Sequence, residues 1–438
     1  MEQFSVILTD LIFILLHFFL VLFTYYRLGK IVMQPAVLFS LLWFIIILLH
    51  FIFKFTLLNK LEPLSLKVYI VFFVGVLFFS LGSIMVALAL EPANRINIKI
   101  HSPSFNIDFK LRIVSTAVIL VGLPFYIQAA YKIFLSSHIE SFFIGLRYEL
   151  SYGDADIGVL KYLMSLSYVV FAVNLYSFFK QRNKINRALL IISFLLTLTY
   201  AIFATGRTFL FMVLIIYLGI SFLVNNRFSA KKIFFSLSIF FCLFMLFGII
   251  MSKGGNVNKS VEENIDASST YVGTYLVIGL NALDKELDQH KEGSAEGDYS
   301  TMFFKKVAMS LGLIPTRKIN APAHNYVFVP YATNVYTYYS PYISDFGKLY
   351  AWLMLAFYGG LHTWLYNKAV YKKSNRAMLY YTFLLFPLLL SFFDDLYLSI
   401  FSFWFQLIFF AELILMVNSL LNSNFYFRNQ MVNAEGTG

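Results

Sequence analysis

The chain has 438 residues, 59% of them hydrophobic and only 13% charged, with a formal net charge of +11. A soluble domain carries roughly 25% charged residues, so the composition excludes an ordinary soluble enzyme. The excess positive charge would suit nucleic acid, but it sits in short loops between apolar runs: Arg27 and Lys30; Lys180, Arg182, Lys184 and Arg187; Arg227, Lys231 and Lys232; Lys368, Lys372, Lys373 and Arg376. That placement is the positive-inside signature of a membrane protein.

Apolar runs of about 20 residues cross the hydrocarbon core, and with no water there the backbone has to pair within helices. Taken in chain order, the candidate spans are 5–25, 34–53, 66–90, 112–134, 158–179, 188–204, 208–225, 232–251, 346–367, 377–393 and 398–420. The expected fold is therefore an all-α polytopic membrane protein of about 11 helices. Its segments are 1–251 with eight spans, a large outer loop 252–345, three spans in 346–420, and a cytoplasmic tail 421–438. Putting the basic loops inside places the N-terminus outside. Glu140–Asp156, the long loop and Asp394-Asp395 then also fall outside, while Lys54, Lys60 and Lys67 run against the rule. The start lacks a basic n-region and a small-residue cleavage site, so the first run reads as a retained helix. The lone Cys242 lies in an apolar run, which leaves no disulfide framework. There is no internal repeat, and the excess phenylalanine reads as lipid-facing and packing surface.

The polar stretch Ser252–Asp345 is the one long extramembrane segment. Gly254–Ser269 reads as flexible, Tyr271–Leu287 as a helix and Thr301–Leu313 as an amphipathic interfacial helix. The run from Pro315 to Asn325, with two prolines, reads as irregular backbone.

Four places carry chemistry. Thr205-Gly206-Arg207-Thr208 joins two apolar runs almost directly. An arginine at membrane depth is costly, so it has a partner or a task; a guanidinium suits phosphate oxygens, and equally it snorkels to the interface. Arg147, in Gly145–Glu149, reads as an anion ligand or as the partner of Glu149 or Glu140. Arg317 and Lys318 read as phosphate ligands or as a solvated pair. The last place is His324-Asn325 with the tyrosine-rich run Asn334–Asp345-Phe-Gly347. Tyrosine rings suit sugar faces and bilayer interfaces alike, and a loop histidine suits general base work or is incidental. His17, His50 and His362, in or beside apolar runs, read as packing residues.

Gly206-Arg207-Thr208 opening a span after a short outer turn, and a late outer loop ending Asn334-Val-Tyr-Thr … Tyr342 … Asp345-Phe-Gly347, resemble the Wzy-type O-antigen and capsular polysaccharide repeat-unit polymerases of bacteria. The resemblance covers most of the chain as an architecture and about twenty residues as motifs. It implies a glycosyltransferase-C-like bundle in the bacterial inner membrane. The activity implied is transfer of a growing glycan from undecaprenyl pyrophosphate to a sugar hydroxyl of the next lipid-linked unit, for lipopolysaccharide or capsule. Arg207, Arg147 and Arg317 would bind pyrophosphate, and His324 or Asp345 would activate the acceptor. Asn334, Tyr336 and Tyr339 would hold sugar. The lipid-linked oligosaccharide and the bilayer are the implied partners, with a chain-length regulator protein beside them. No cofactor, metal or nucleic acid is expected.

His324-Asn325 is also similar to the histidine region of the O-antigen ligases, which makes a ligase the nearest alternative. A lipid-linked sugar flippase would show repeated halves and polar mid-span residues. A transferase using polyprenyl monophosphate sugars would resemble its class in an acidic pair in the first outer loop, where this chain has Glu62 alone.

The orientation is checked by labelling intact cells with an impermeant thiol reagent. Asn256→Cys is expected to label and Lys184→Cys is not; the opposite result inverts the topology.

Overall fold

A computed structural model describes residues 2–29, 31–90, 107–153, 155–225, 238, 261–289, 292–316 and 327–435. Among the described residues the chain is helical apart from one two-stranded hairpin, Val327–Phe328 paired antiparallel with Ala332–Thr333. Among the described residues eight helices are long and apolar enough to cross a membrane. The chain divides into two compact units, one of residues 1–99, 253–368 and 384–401, the other of 100–252, 369–383 and 402–438.

The first unit begins with α1 (Glu2–Arg27), α2 (Pro35–Phe55) and α3 (Leu66–Leu90). α1 is apolar nearly all round, yet its buried face is Asp10, Phe13, His17, Leu20 and Thr24, a three–four spacing with a polar residue every seventh position. The opposite face exposes Leu8, Leu11, Leu15, Phe19 and Phe23, as a lipid-facing surface requires. Gly29, at φ +95°, ends α1 in the left-handed region that glycine enters freely, and Pro35 starts α2 at the position where its missing N–H costs nothing. Ring stacking fixes the α2–α3 contact, with Phe39 and Phe79 centroids 4.1 Å apart.

The long polar stretch is not an independent lobe. The helix read over Tyr271–Leu287 is α9, Val261–Gln289, and it takes in 261–269, expected to be flexible. Its sequence opens with acids and serines and shows no apolar stripe there, so the pattern is silent until Tyr271. Within the first unit Val277, Ile278 and Ala282 of α9 pack with Leu58, Leu61, Val329 and Tyr336. α10 (Met302–Ser310) lies within the expected amphipathic segment, exposing Phe304 and Val307. α11 (Tyr339–Phe346) and α12 (Lys348–Val370) are separated by Gly347 at φ +85°. α3 and α12 meet backbone to backbone: a Cβ on Gly82 would lie 1.9 Å from Ala356 O, and one on Gly359 would lie 2.0 Å from Phe79 O. Small residues let membrane helices approach this closely. Ser83 Oγ uses the approach to donate to Gly359 O at 3.0 Å.

The second unit holds α4 (Phe109–Ser136), α5 (Phe142–Tyr152), α6 (Lys161–Lys180), α7 (Lys184–Phe203), α8 (Arg207–Asn225) and most of α14 (Phe401–Glu435). α5 is a short helix inside the outer loop expected at 140–156. α6 is the central element, with an unbroken buried run from Ser167 to Tyr176. Its neighbours bind it through polar side chains aimed at backbone carbonyls: Thr197 Oγ1 to Ser167 O at 3.0 Å, and Tyr168 OH to Phe209 O at 2.8 Å. α13 (Asn375–Leu389) is contributed to by both units.

The expected spans 346–367 and 377–393 do form helices, α12 and α13, but neither is among the eight. α12 carries Gly359-Gly360, His362, Thr363 and Asn367 along its length, and α13 is only 15 residues long. The span read at 232–251 lies outside the described residues apart from Ser238. The tail expected at 421–438 continues α14 as helix to Glu435.

Gly359→Ala is expected to destabilise the protein by about 1–3 kcal/mol, because its Cβ meets a carbonyl of another helix. Thermal unfolding in detergent reads it, and an unchanged midpoint would mean that the two helices are not in backbone contact.

Candidate functional site

Both units carry chemistry-bearing places. In the second unit, the connection between α7 and α8 is only three residues long. Ala204 N–H donates to Tyr200 O and Thr205 N–H to Ile202 O, both at 3.0 Å, closing α7. Thr205 then takes φ +56°, an uncommon conformation for a β-branched residue, and it is buried. Gly206 follows under the Phe209 ring, which a Cβ would approach to 2.7 Å. Arg207 is therefore the first residue of α8, where unpaired N–H groups and the helix dipole favour an anion. Strain held at such a turn is a pointer to function.

Arg147 belongs to the same end of the same unit. Phe142 and Phe143, at the start of α5, pack on Phe203 at the end of α7, with centroids 5.8 and 6.1 Å apart. Phe142 also packs on Phe134 at the end of α4, at 5.0 Å. Arg147 is half-buried on α5, and no carboxylate pairs with it among the described residues, neither Glu149 nor Glu140. The local ion pair weighed for it is not made. Arg317, Lys318, His324 and Asn325 lie outside the described residues.

In the first unit the tyrosine-rich run is mostly interior. Tyr339 is fully buried, its ring 5.4 Å from those of both Trp43 and Phe72 and its hydroxyl filling the space beside Gly75. Tyr336 packs into the cluster around Val277 and Leu58. Neither ring offers a face to a sugar in this conformation, whereas Asn334, between the hairpin and α11, is half-buried. Asp345 accepts from Tyr299 N–H at 3.1 Å, Ser300 N–H at 2.5 Å and Ser300 Oγ at 2.6 Å. Those bonds tie the turn after α9 to α11, a holding role that occupies both carboxylate oxygens.

Asp395 is the carboxylate with perturbed chemistry, and the sequence pointed to it only as half of an acidic pair. It is fully buried. It accepts from Tyr342 OH at 3.1 Å, Tyr397 N–H at 2.9 Å and Ser399 N–H at 3.1 Å. Tyr342 OH is 3.1 Å from Tyr358 OH, the Tyr358 and Tyr397 rings stack at 3.9 Å, and Tyr397 OH lies 2.9 Å from His362 Nε2. Burial, with Asp394 adding to it, pushes the Asp395 carboxyl up to about 7 against the pull of its hydrogen bonds. His362, read as packing, is thus part of a polar cluster.

Another such cluster joins α1, α2, α3 and α9. Lys54 Nζ lies 2.6 Å from Asp10 Oδ2, and Tyr69 OH donates to Asp10 Oδ1 at 2.7 Å. His50 Nε2 is 2.9 Å from Asn281 Oδ1, while Asn281 Nδ2 donates to Glu62 O at 2.8 Å. Asp284 accepts from Ser65 N–H at 2.7 Å, and burial raises its carboxyl above the usual range. His50 is therefore a tie between α2 and α9, not a packing residue only. Among the described residues no group of three metal-ligating side chains occurs.

No family model, curated protein or solved structure matches this chain.

The raised Asp395 carboxyl makes stability depend on pH with a definite sign. Between about pH 4 and about pH 7 the folded state holds a proton that the unfolded state has lost, so stability falls as pH rises through this window. Asp395→Asn is expected to flatten that slope, at the cost of one acceptor for Ser399 N–H. Thermal unfolding midpoints across pH 4–8 check it, and an equal slope in the variant would place the titration elsewhere.

Proposed function

We propose that the chain is a membrane glycosyltransferase that polymerises lipid-linked oligosaccharide repeat units. One observation carries this reading. Arg147, with no carboxylate partner among the described residues, and Arg207, at the head of α8, are brought to one end of the second unit by the Phe142, Phe143 and Phe203 contacts. Two arginines and a helix N-terminus at one end of a membrane bundle suit a pyrophosphate. The substrate would be a glycan on undecaprenyl pyrophosphate, as the resemblance to the Wzy-type polymerases implies, and the setting would be the bacterial inner membrane with a glycosyltransferase-C-like bundle.

In the reaction an acceptor sugar hydroxyl attacks the anomeric carbon of the donor glycan. The new C–O bond forms as the bond to the pyrophosphate oxygen breaks, and the pyrophosphate leaves with the electron pair. The hydroxyl proton passes to a base, for which His324 remains the first candidate, since Asp345 is engaged with Ser300. The pyrophosphate is already a good leaving group, so the protein's task is to neutralise its developing charge and to position the acceptor. A guanidinium does this without a metal. The transition state has oxocarbenium character, as in glycoside chemistry generally.

Polymer formation from lipid-linked repeat units, with expression checked by blot, tests the proposal. Losing one charge-assisted contact should cost roughly 10²–10³ in rate. Arg207→Ala and Arg147→Ala are expected to fall in that range. Arg207→Lys should fail nearly as badly as Arg207→Ala, since an ammonium lacks the planar fork. Normal chain lengths made at the normal rate by well-expressed Arg207→Ala protein would refute the clamp. Deletion in the source strain separates a polymerase, whose loss leaves one repeat unit attached, from a ligase, whose loss leaves none.

A further inference from the structure

Three contacts converge on one residue, Phe209, in the first turn of α8. Its carbonyl accepts from Tyr168 OH of α6 at 2.8 Å. Its ring lies against Gly206, where a Cβ would come within 2.7 Å of it. The same ring packs on Phe403 of α14, with centroids 5.7 Å apart. Tyr168 and Phe403 also meet each other edge to face, 5.9 Å apart at 90°, and both are buried. A carbonyl oxygen has two lone pairs, so the tyrosine adds a tie from another helix to the one that the α8 ladder supplies.

The tyrosine and the phenylalanine are themselves held in register. Ser165 Oγ donates to Gln406 Oε1 at 2.7 Å, three residues before Tyr168 on α6 and three residues after Phe403 on α14. Residues three apart share a helix face, so the two contacts form successive rungs between antiparallel helices.

The turn fixed in this way is the strained one. Thr205 is buried at φ +56°, and Phe209 N–H donates to Gly206 O at 3.0 Å. A β-branched residue keeps such a conformation only where its surroundings over-determine it. A longer connection would relieve the strain at little entropic cost. Strain retained two residues before Arg207 therefore points to a demand for one position of the α8 head.

We propose that Tyr168, Phe209 and Phe403 are positioning residues that fix the head of α8, and Arg207 with it, for a pyrophosphate group. The inference rests on the pyrophosphate reading of Arg207. The three residues act through the backbone of the turn. Tyr168 sets the first turn of α8 through Phe209 O, the Phe209 ring holds Gly206, and Phe403 backs that ring. Such precision matters because a displacement of about 1 Å at a charge-stabilising group costs on the order of 10²-fold in rate.

Isothermal titration of the full-length protein in detergent with farnesyl pyrophosphate tests it, with thermal unfolding measured on the same samples. Tyr168→Phe removes one hydroxyl and keeps the ring. It is expected to weaken binding about tenfold, as misaligning one hydrogen bond to a charged group does. Thr197→Val is the matched control, since it removes a hydroxyl-to-carbonyl bond between α7 and α6, at Ser167 O, away from the turn. Both variants should unfold at a lower temperature, and only Tyr168→Phe should lose affinity. A tyrosine with a merely structural role would lower the midpoint and leave the affinity alone, which overturns the proposal. Arg207→Ala separates the two levels. If it binds as the unaltered protein does, or if the unaltered protein does not bind, the pyrophosphate reading falls and the proposal with it. If Arg207→Ala loses binding while Tyr168→Phe keeps it, the reading stands and the proposal falls. Should Tyr168→Phe not fold, Phe209→Leu, which stays apolar and gives up the ring, decides by the same comparison.

Discussion

A polar group between apolar helices has no water to turn to and must be answered by another part of the same chain. In the first unit this requirement organises the packing. Asp10 is answered by Lys54 and Tyr69, His50 by Asn281, and Asp284 by Ser65. These bonds run between α1, α2, α3 and α9, so they attach the long polar segment to the helices that precede it. Removing one partner would leave the other buried and unpaired, a loss larger than the net value of the pair. The Gly82 and Gly359 contacts serve the same logic, because close backbones leave Ser83 within reach of a carbonyl.

In the second unit the same requirement is met by hydroxyl and amide side chains, and it leaves two contrasting ends. At one end the Phe142, Phe143 and Phe203 rings pack the start of α5, the helix of Arg147, on the end of α7, three residues before α8 begins at Arg207. At the other end Arg112 is enclosed and only partly satisfied. α4 and α7 run from one end to the other, so a single set of helices separates Arg112 from the chain positions of Arg147 and Arg207. That separation keeps the proposed pyrophosphate ligands apart from the basic loops, which would otherwise compete for the same anion.

The helices of the spans were legible because a long apolar run has only one backbone solution in lipid. α1 to α4 and α6 to α8 accordingly fall within a few residues of the hydropathy pattern. The start of α8 at Arg207 was legible too, since a charge between two apolar runs marks where one ends and the next begins. What the pattern left out depends on contacts distant in sequence. α9 buries Val277 and Ile278 only because α2 lies beside it, and nothing in Val261–Thr270 signals a helix by spacing. His50 and His362 looked like packing residues, as their partners Asn281 and Tyr397 stand 231 and 35 positions away. Asp395 reads in sequence as one half of an exposed acidic pair, and only Tyr342, 53 positions away, together with the enclosing rings gives it a perturbed carboxyl.

The Asp10–Lys54 pair also bears on how the chain enters the bilayer. Asp10 lies 17 residues before the end of α1 and Lys54 19 residues after the start of α2. At about 1.5 Å of rise per residue, the two charges reach nearly the same depth when the helices lie antiparallel. Each charge alone makes its helix a worse candidate for partition into lipid. An antiparallel hairpin presents both together, as a hydrogen-bonded ion pair. The paired hairpin therefore enters lipid at a lower cost than either helix alone.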